Sequence, residues 1–130
     1  MDSHKRKIAI IEDDAMIVQM YKTKFELEGY VVQTAGDGQA GLELIEQFNP
    51  DVVLLDLMMP SKSGVELLEE LRQLPGGQAV KVIVLTNSED NTTTSRVYRT
   101  GPVDYIVKSE LTPQQVVERV ARLMHPPSLS

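Results

Sequence analysis

Three acids in succession, Glu12, Asp13 and Asp14, close the first apolar run of the chain, and a fourth, Asp56, closes a later one. Thr86 ends another apolar run, and Lys108 ends the last. Carboxylates gathered at one point repel one another and are costly to keep ionised together unless a cation sits among them. An all-oxygen donor set favours a hard cation, and one that leaves positions to water and phosphate suits Mg²⁺ better than Ca²⁺. Asp56 would then be a nucleophile able to form an acyl phosphate by in-line displacement, with the dication neutralising the charge that develops on the phosphoryl oxygens. Lys108 would hold one phosphate oxygen, and Thr86 would donate a hydrogen bond to another. Singly, each residue has a plainer role: Asp13 or Asp14 as a helix cap, Asp56 as the start of a solvated loop, Thr86 as a strand residue, Lys108 as a surface charge. The reading rests on their joint occurrence.

That occurrence has meaning only if the elements bring the residues together. Five short apolar runs, Ile8 to Ile11, Val31 to Ala35, Val52 to Leu55, Val80 to Leu85 and Tyr105 to Val107, alternate with five segments of helical spacing. The first, third and fourth runs contain continuous apolar stretches, the pattern of strands covered on both faces. Gly41, Leu44, Ile45 and Phe48 mark one helix, and Leu67, Leu68, Leu71 and Leu74 another. Val116, Val117, Val120, Ala121 and Met124 form the clearest stripe, preceded by Thr112, Pro113 and Gln115 as N-cap, first-turn proline and capping-box partner. The fourth helix, Asp90 to Thr100, holds three threonines in a row and only Val97 and Tyr98 as sizeable apolar groups, so it is expected to be the least stable. Strict alternation implies right-handed crossovers and a parallel sheet between two helical layers. In such sheets the site lies at the carboxyl ends of the strands, where all the residues named above fall.

Composition narrows the partners. The 130 residues make one domain, and a net charge of -6 argues against direct contact with nucleic acid or an anionic membrane. With no cysteine, disulfides, thiolate zinc sites and thiol catalysis are excluded. No apolar run is long enough to span a bilayer, and the N-terminal residues lack a cleavable leader pattern, so a cytoplasmic setting is expected.

At Glu12-Asp13, at Asp56-Leu57-Met58-Met59-Pro60 with Gly64, at Thr86 after Val82-Ile83-Val84-Leu85, and at Asp104-Tyr105-Ile106-Val107-Lys108, the chain resembles the receiver domain of two-component response regulators. The resemblance runs from about Lys7 to Met124. It implies a flavodoxin-like, doubly wound (βα)5 three-layer sandwich with a five-stranded parallel sheet of order 2-1-3-4-5. The expected domain covers residues 1–125, with 126–130 a flexible tail. The implied role is that of a signalling phosphoacceptor rather than an enzyme in its own right. It takes a phosphoryl group from a histidine kinase or phosphotransfer protein onto Asp56, catalyses that transfer itself, and loses the group slowly. By resemblance, Asp13 and Asp56 hold Mg²⁺ directly together with the backbone carbonyl of Met58, and Glu12 acts through water. Asp14 is read as a helix N-terminal acid. Thr86 and Tyr105 form the switch, Tyr105 being equally an ordinary half-buried strand aromatic, and the fourth helix, fifth strand and fifth helix form the signalling surface. The implied partners are a downstream effector or a separate output domain, with a monomer that phosphorylation can dimerise.

Several positions depart from the family pattern. Ser109 follows Lys108 where proline, joined by a cis bond, is usual; the cis form is expected to be retained, at a cost of about 2.5–4 kcal/mol. Pro102 stiffens the loop before the last strand, Ser63 stands where an aspartate is common, and Asn87 is larger than the usual residue after Thr86. Met58 and Ser88, neither a carboxylate, occupy the positions that tune hydrolysis, which predicts a persistent phosphate. Two other functions fit these residues less well. A pseudo-receiver acting by contact alone would not need Asp13, Asp56, Thr86 and Lys108 together. An aspartyl phosphatase would need Asp-x-Asp after the first strand, and a flavin protein would need Ser, Thr and Gly there.

Overall fold

Side chains that alternate direction along each strand sort the apolar residues into two cores, one on either face of a single sheet. In the computed structural model, which describes residues 6–59, 62–87, 91–101 and 103–124 (the side chains of Asn91 and Thr92 excepted), the strands are β1 Lys7–Ile11, β2 Val31–Ala35, β3 Val52–Asp56, β4 Lys81–Thr86 and β5 Asp104–Val107. The helices are α1 Ala15–Leu27, α2 Gly38–Phe48, α3 Gly64–Gln73, α4 Asn91–Tyr98 and α5 Pro113–Met124. All strand pairs are parallel, in the order β2-β1-β3-β4-β5. This is the expected flavodoxin-like arrangement.

Ile8, Ile10, Val52, Leu54, Ile83 and Leu85 face α1 and α5, where Tyr21, Phe25, Val116, Val117 and Val120 meet them. The alternate residues Ala9, Ile11, Val53, Leu55, Val82 and Val84 face α2, α3 and α4, against Ile45, Leu67, Leu68 and Val97. Both faces of β1, β3 and β4 are thus buried, as their continuous apolar runs require.

The helix ends carry their own chemistry. Thr112 and Gln115 form the expected capping box of α5, with Gln115 N donating to Thr112 Oγ1 at 3.2 Å and Thr112 N to Gln115 Oε1 at 2.8 Å. Ser63 and Glu66 form a second box at α3, which the sequence reading overlooked although the Ser-x-x-Glu spacing was present. Leu74, expected on the α3 stripe, lies just past the helix, with extended backbone as its C-cap. α4 is the shortest of the five helices, and Val97 is its one buried residue among those whose side chains are described. A surface fork, Arg96 to both carboxylate oxygens of Glu69 at 2.7 Å, ties α4 to α3. Exposed pairs of this kind contribute little, so α4 remains the most weakly held helix.

One expectation is corrected. Among the described residues no peptide bond is cis, so Lys108-Ser109 is trans, and Lys108–Glu110 forms a short 3₁₀ turn. Without the proline that narrows the energy gap, nothing offsets the several kcal/mol that a cis bond costs before serine. Pro60, Ser88, Asp90, Pro102 and the tail 126–130 lie outside the described residues.

Candidate functional site

Register assembles the site. Ile11 pairs with Leu55, so Glu12 and Asp56, each one residue further on, emerge side by side at the carboxyl edge of β1 and β3. Asp56 pairs with Leu85 and Thr86 pairs with Val107, which brings Thr86 to the other flank of Asp56 and Lys108 next to Thr86. The strand order reverses between β1 and β3, the point at which doubly wound sheets open a crevice.

Glu12, Asp13 and Asp56 each offer a carboxylate oxygen, and these oxygens lie within 4.8 Å of one another. Asp14 belongs elsewhere. Its side chain caps α1, accepting from Met16 N at 2.9 Å and Ile17 N at 3.3 Å, which leaves Asp13 without a capping duty and exposed beside the pair. The cap agrees with the expectation from sequence that Asp14 is the helix N-terminal acid.

Glu12 and Asp56 are both 5% exposed, over an underside lined by Ile10, Ile17, Leu54 and Leu85. That burial, and then the adjacent Glu12, push the Asp56 carboxyl up to about 7, with the Met58 amide at 3.2 Å from Oδ1 opposing the rise. Burial also pushes Glu12 up. Hydrogen bonds from Lys108 and Asp56 and from the Asp14 amide outweigh it and leave Glu12 below its ordinary value. Lys108 Nζ sits 2.7 Å from Glu12 Oε1, so the ammonium is held by the acid that follows β1 and not by Asp56. Two adjoining acids are therefore poised differently: one ionised and paired, the other drawn toward its protonated form.

Thr86 is buried at 3% exposure. Tyr105 is half-buried, its ring 5.8 Å from that of Tyr98, and its hydroxyl is buried without a hydrogen-bond partner among the described residues. Met58, 72% exposed, stands at the mouth of the site, and Asn87 is also exposed. Gly64 packs directly beneath: a Cβ there would lie 2.3 Å from the Asp56 carbonyl oxygen and 2.7 Å from Leu57 Cα. Its amide donates to Leu57 O at 3.1 Å, which folds the loop back under Asp56.

A five-stranded 2-1-3-4-5 sheet with an acidic crevice at its switch point defines the class, and comparison with known proteins agrees. The model of the response regulator receiver domain matches residues 8–121, and the chain belongs to that family. It is 39% identical over 104 residues to the probable C4-dicarboxylate response regulator DctR of Bacillus subtilis, covering 78% of this chain and 45% of that one. It is 34% identical over 124 residues to the DNA-binding response regulator MtrA of Mycobacterium tuberculosis, covering 95% and 53%. The chain spans about half the length of these relatives. Among solved structures, a CheY-like receiver domain from Methanospirillum hungatei superposes with a TM-score of 0.85 at 28% identity, covering 93% of this chain and 94% of that one. The protein is a signalling receiver domain of two-component systems. No helix among the described residues is long and apolar enough to cross a membrane.

Proposed function

We propose that Asp56 accepts a phosphoryl group from a phosphohistidine donor, a histidine kinase or phosphotransfer protein, in a Mg²⁺-dependent transfer that the receiver itself catalyses. The observation that carries this reading is the cluster of Glu12, Asp13 and Asp56 oxygens within 4.8 Å at the sheet's switch point. Three carboxylates so close suit a hard divalent cation.

Asp13, Asp56 and the Met58 carbonyl would hold the ion directly, with Glu12 acting through water. Bound there, Mg²⁺ favours the ionised form of Asp56 and offsets charge on the phosphoryl oxygens. The Asp56 oxygen attacks phosphorus in line; a P–O bond forms as the P–N bond breaks, and the electron pair returns to the imidazole nitrogen. The Met58 amide, 3.2 Å from Asp56 Oδ1, fixes the orientation of the nucleophile. Lys108 leaves Glu12 to meet one phosphoryl oxygen, and the Thr86 hydroxyl meets another. Movement of Thr86 opens room into which Tyr105 repacks, and the change passes to α4, β5 and α5. α4 is suited to this because it buries little and is easily reshaped.

The receiver is assigned to residues 1–125, with 126–130 as a tail. It works in the cytoplasm on a downstream effector or a linked output domain, as a monomer that phosphorylation can pair, without touching nucleic acid itself. The test is incubation with acetyl phosphate and Mg²⁺ followed by intact mass. A gain of one phosphoryl group that disappears in Asp56→Asn is expected; an unchanged mass in the native chain would leave a contact-only pseudo-receiver.

A further inference from the structure

Three of the chain's six arginines, Arg72, Arg96 and Arg99, line one open groove of about 450 Å³ between α3 and α4. The clustering stands out in a protein of net charge -6. Both helices start at the carboxyl edge of the sheet and run away from it. The groove takes the last turn of α3 and the end of α4, so it lies at the opposite end of the helix pair from Asp56.

The donors are held in place. Arg72, buried in α3, donates through Nη1 to Gly77 O at 2.9 Å and to Val80 O at 2.8 Å, which anchors its guanidinium. Arg96 is forked onto Glu69 through Nε and Nη2, both at 2.7 Å. Arg99 is exposed at the rim, and Gln73 and Gln78 add amide donors. Among the described residues lining the groove are three guanidinium groups and one carboxylate, Glu69, around a volume in the range of small-ligand sites. Such planar forks match carboxylate and phosphate oxygens.

We propose that the α3–α4 groove binds a small oxyanion carrying two or more phosphate or carboxylate groups, separately from the Asp56 site. The occupant would bridge α3 and α4 and so stiffen the helix that the proposed switch moves.

The experiment is an NMR titration of the 15N-labelled chain, in metal-free buffer at low salt, with sodium pyrophosphate and separately with citrate. Without a cation, the acids around Asp56 repel both probes, so shifts at the groove and shifts at Asp56 are told apart. Saturable shifts at the Arg96 and Arg99 Nε groups and along residues 72–79, with a dissociation constant of about 1 mM or tighter, are expected. Arg99→Gln should weaken binding about tenfold, and Arg99→Lys, which keeps the charge, by less. The tighter of the two probes names the ligand class, phosphate or carboxylate. No saturable shift at the groove with either probe, or equal affinity in Arg99→Gln with an unchanged melting temperature, would overturn the proposal.

Discussion

Lys108 Nζ lies 2.7 Å from Glu12 Oε1, ninety-six residues away in sequence. The lysine is thereby held on the neighbour of the acid it is proposed to serve, and the pair fixes the charge pattern of the crevice. Glu12 is ionised because Lys108 and the Asp14 amide support it, and its negative charge in turn discourages ionisation of Asp56.

Removing the ammonium exposes this arrangement. Lys108→Ala leaves a buried carboxylate without its ion pair, a loss of about 1–3 kcal/mol at neutral pH for a partly solvated pair. Added Mg²⁺ should restore more stability to the variant than to the native protein, because the ion replaces the missing positive charge. Urea unfolding with and without Mg²⁺ measures both; an equal Mg²⁺ increment in the two proteins would contradict the role given to Lys108.

The pH dependence of metal-free stability follows from Asp56. Its folded pKa of about 7 lies above its unfolded value of 3.8, so between the two the folded state holds a proton that the unfolded state has released. That contribution is fully present below about pH 4 and is lost as pH rises through 7. Glu12, lowered in the folded state, has the opposite sign: its contribution is present above the ordinary value of 4.5 and is lost as pH falls through its folded pKa. Unfolding free energies at pH 5 and pH 7.5 should therefore decline toward the higher pH in the native protein. Asp56→Asn should remove that decline.

Gly64 is expected to tolerate no side chain. A methyl group 2.3 Å from the Asp56 carbonyl must displace backbone, since neither atom belongs to a flexible side chain. Gly64→Ala should lose about 1–3 kcal/mol and slow phosphorylation as Asp56 shifts. Retention of both native stability and native acetyl phosphate reactivity would show that the loop relaxes freely.

The phosphorylated form should persist. Met58, exposed at the mouth, offers no carboxylate or amide to position an attacking water. Loss of the phosphoryl group in Mg²⁺ buffer, followed by mass, is expected over minutes or longer. Met58→Glu should shorten that lifetime, and decay of the native form within seconds would contradict this.

Element positions were largely legible because burial on both sides leaves its mark in composition. Val52 to Leu55 and Val82 to Leu85 read as strands since each alternate residue has its own core to enter. The Thr112-Gln115 capping box was visible as spacing, and the equivalent Ser63-Glu66 spacing was present but passed over as a departure from the usual aspartate. Such local signals depend on neighbours three residues apart, and so they can be read from a string.

The sequence by itself determined which groups stand at the strand ends: Glu12, Asp13, Asp56, Thr86 and Lys108, each following an apolar run whose direction is set by alternation. Only the tertiary structure decided how they divide the work. It set Lys108 on Glu12, made Lys108-Ser109 trans, and brought Gly64 under Asp56, whereas the cap of α1 fell to Asp14 as its place in the sequence implied. It also gathered Arg72, Arg96 and Arg99 in one groove. The physical reason is that pairing and desolvation depend on contacts between residues far apart in the chain. Burial beside a like charge draws Asp56 toward its neutral form, and that follows from neighbours which register alone supplies.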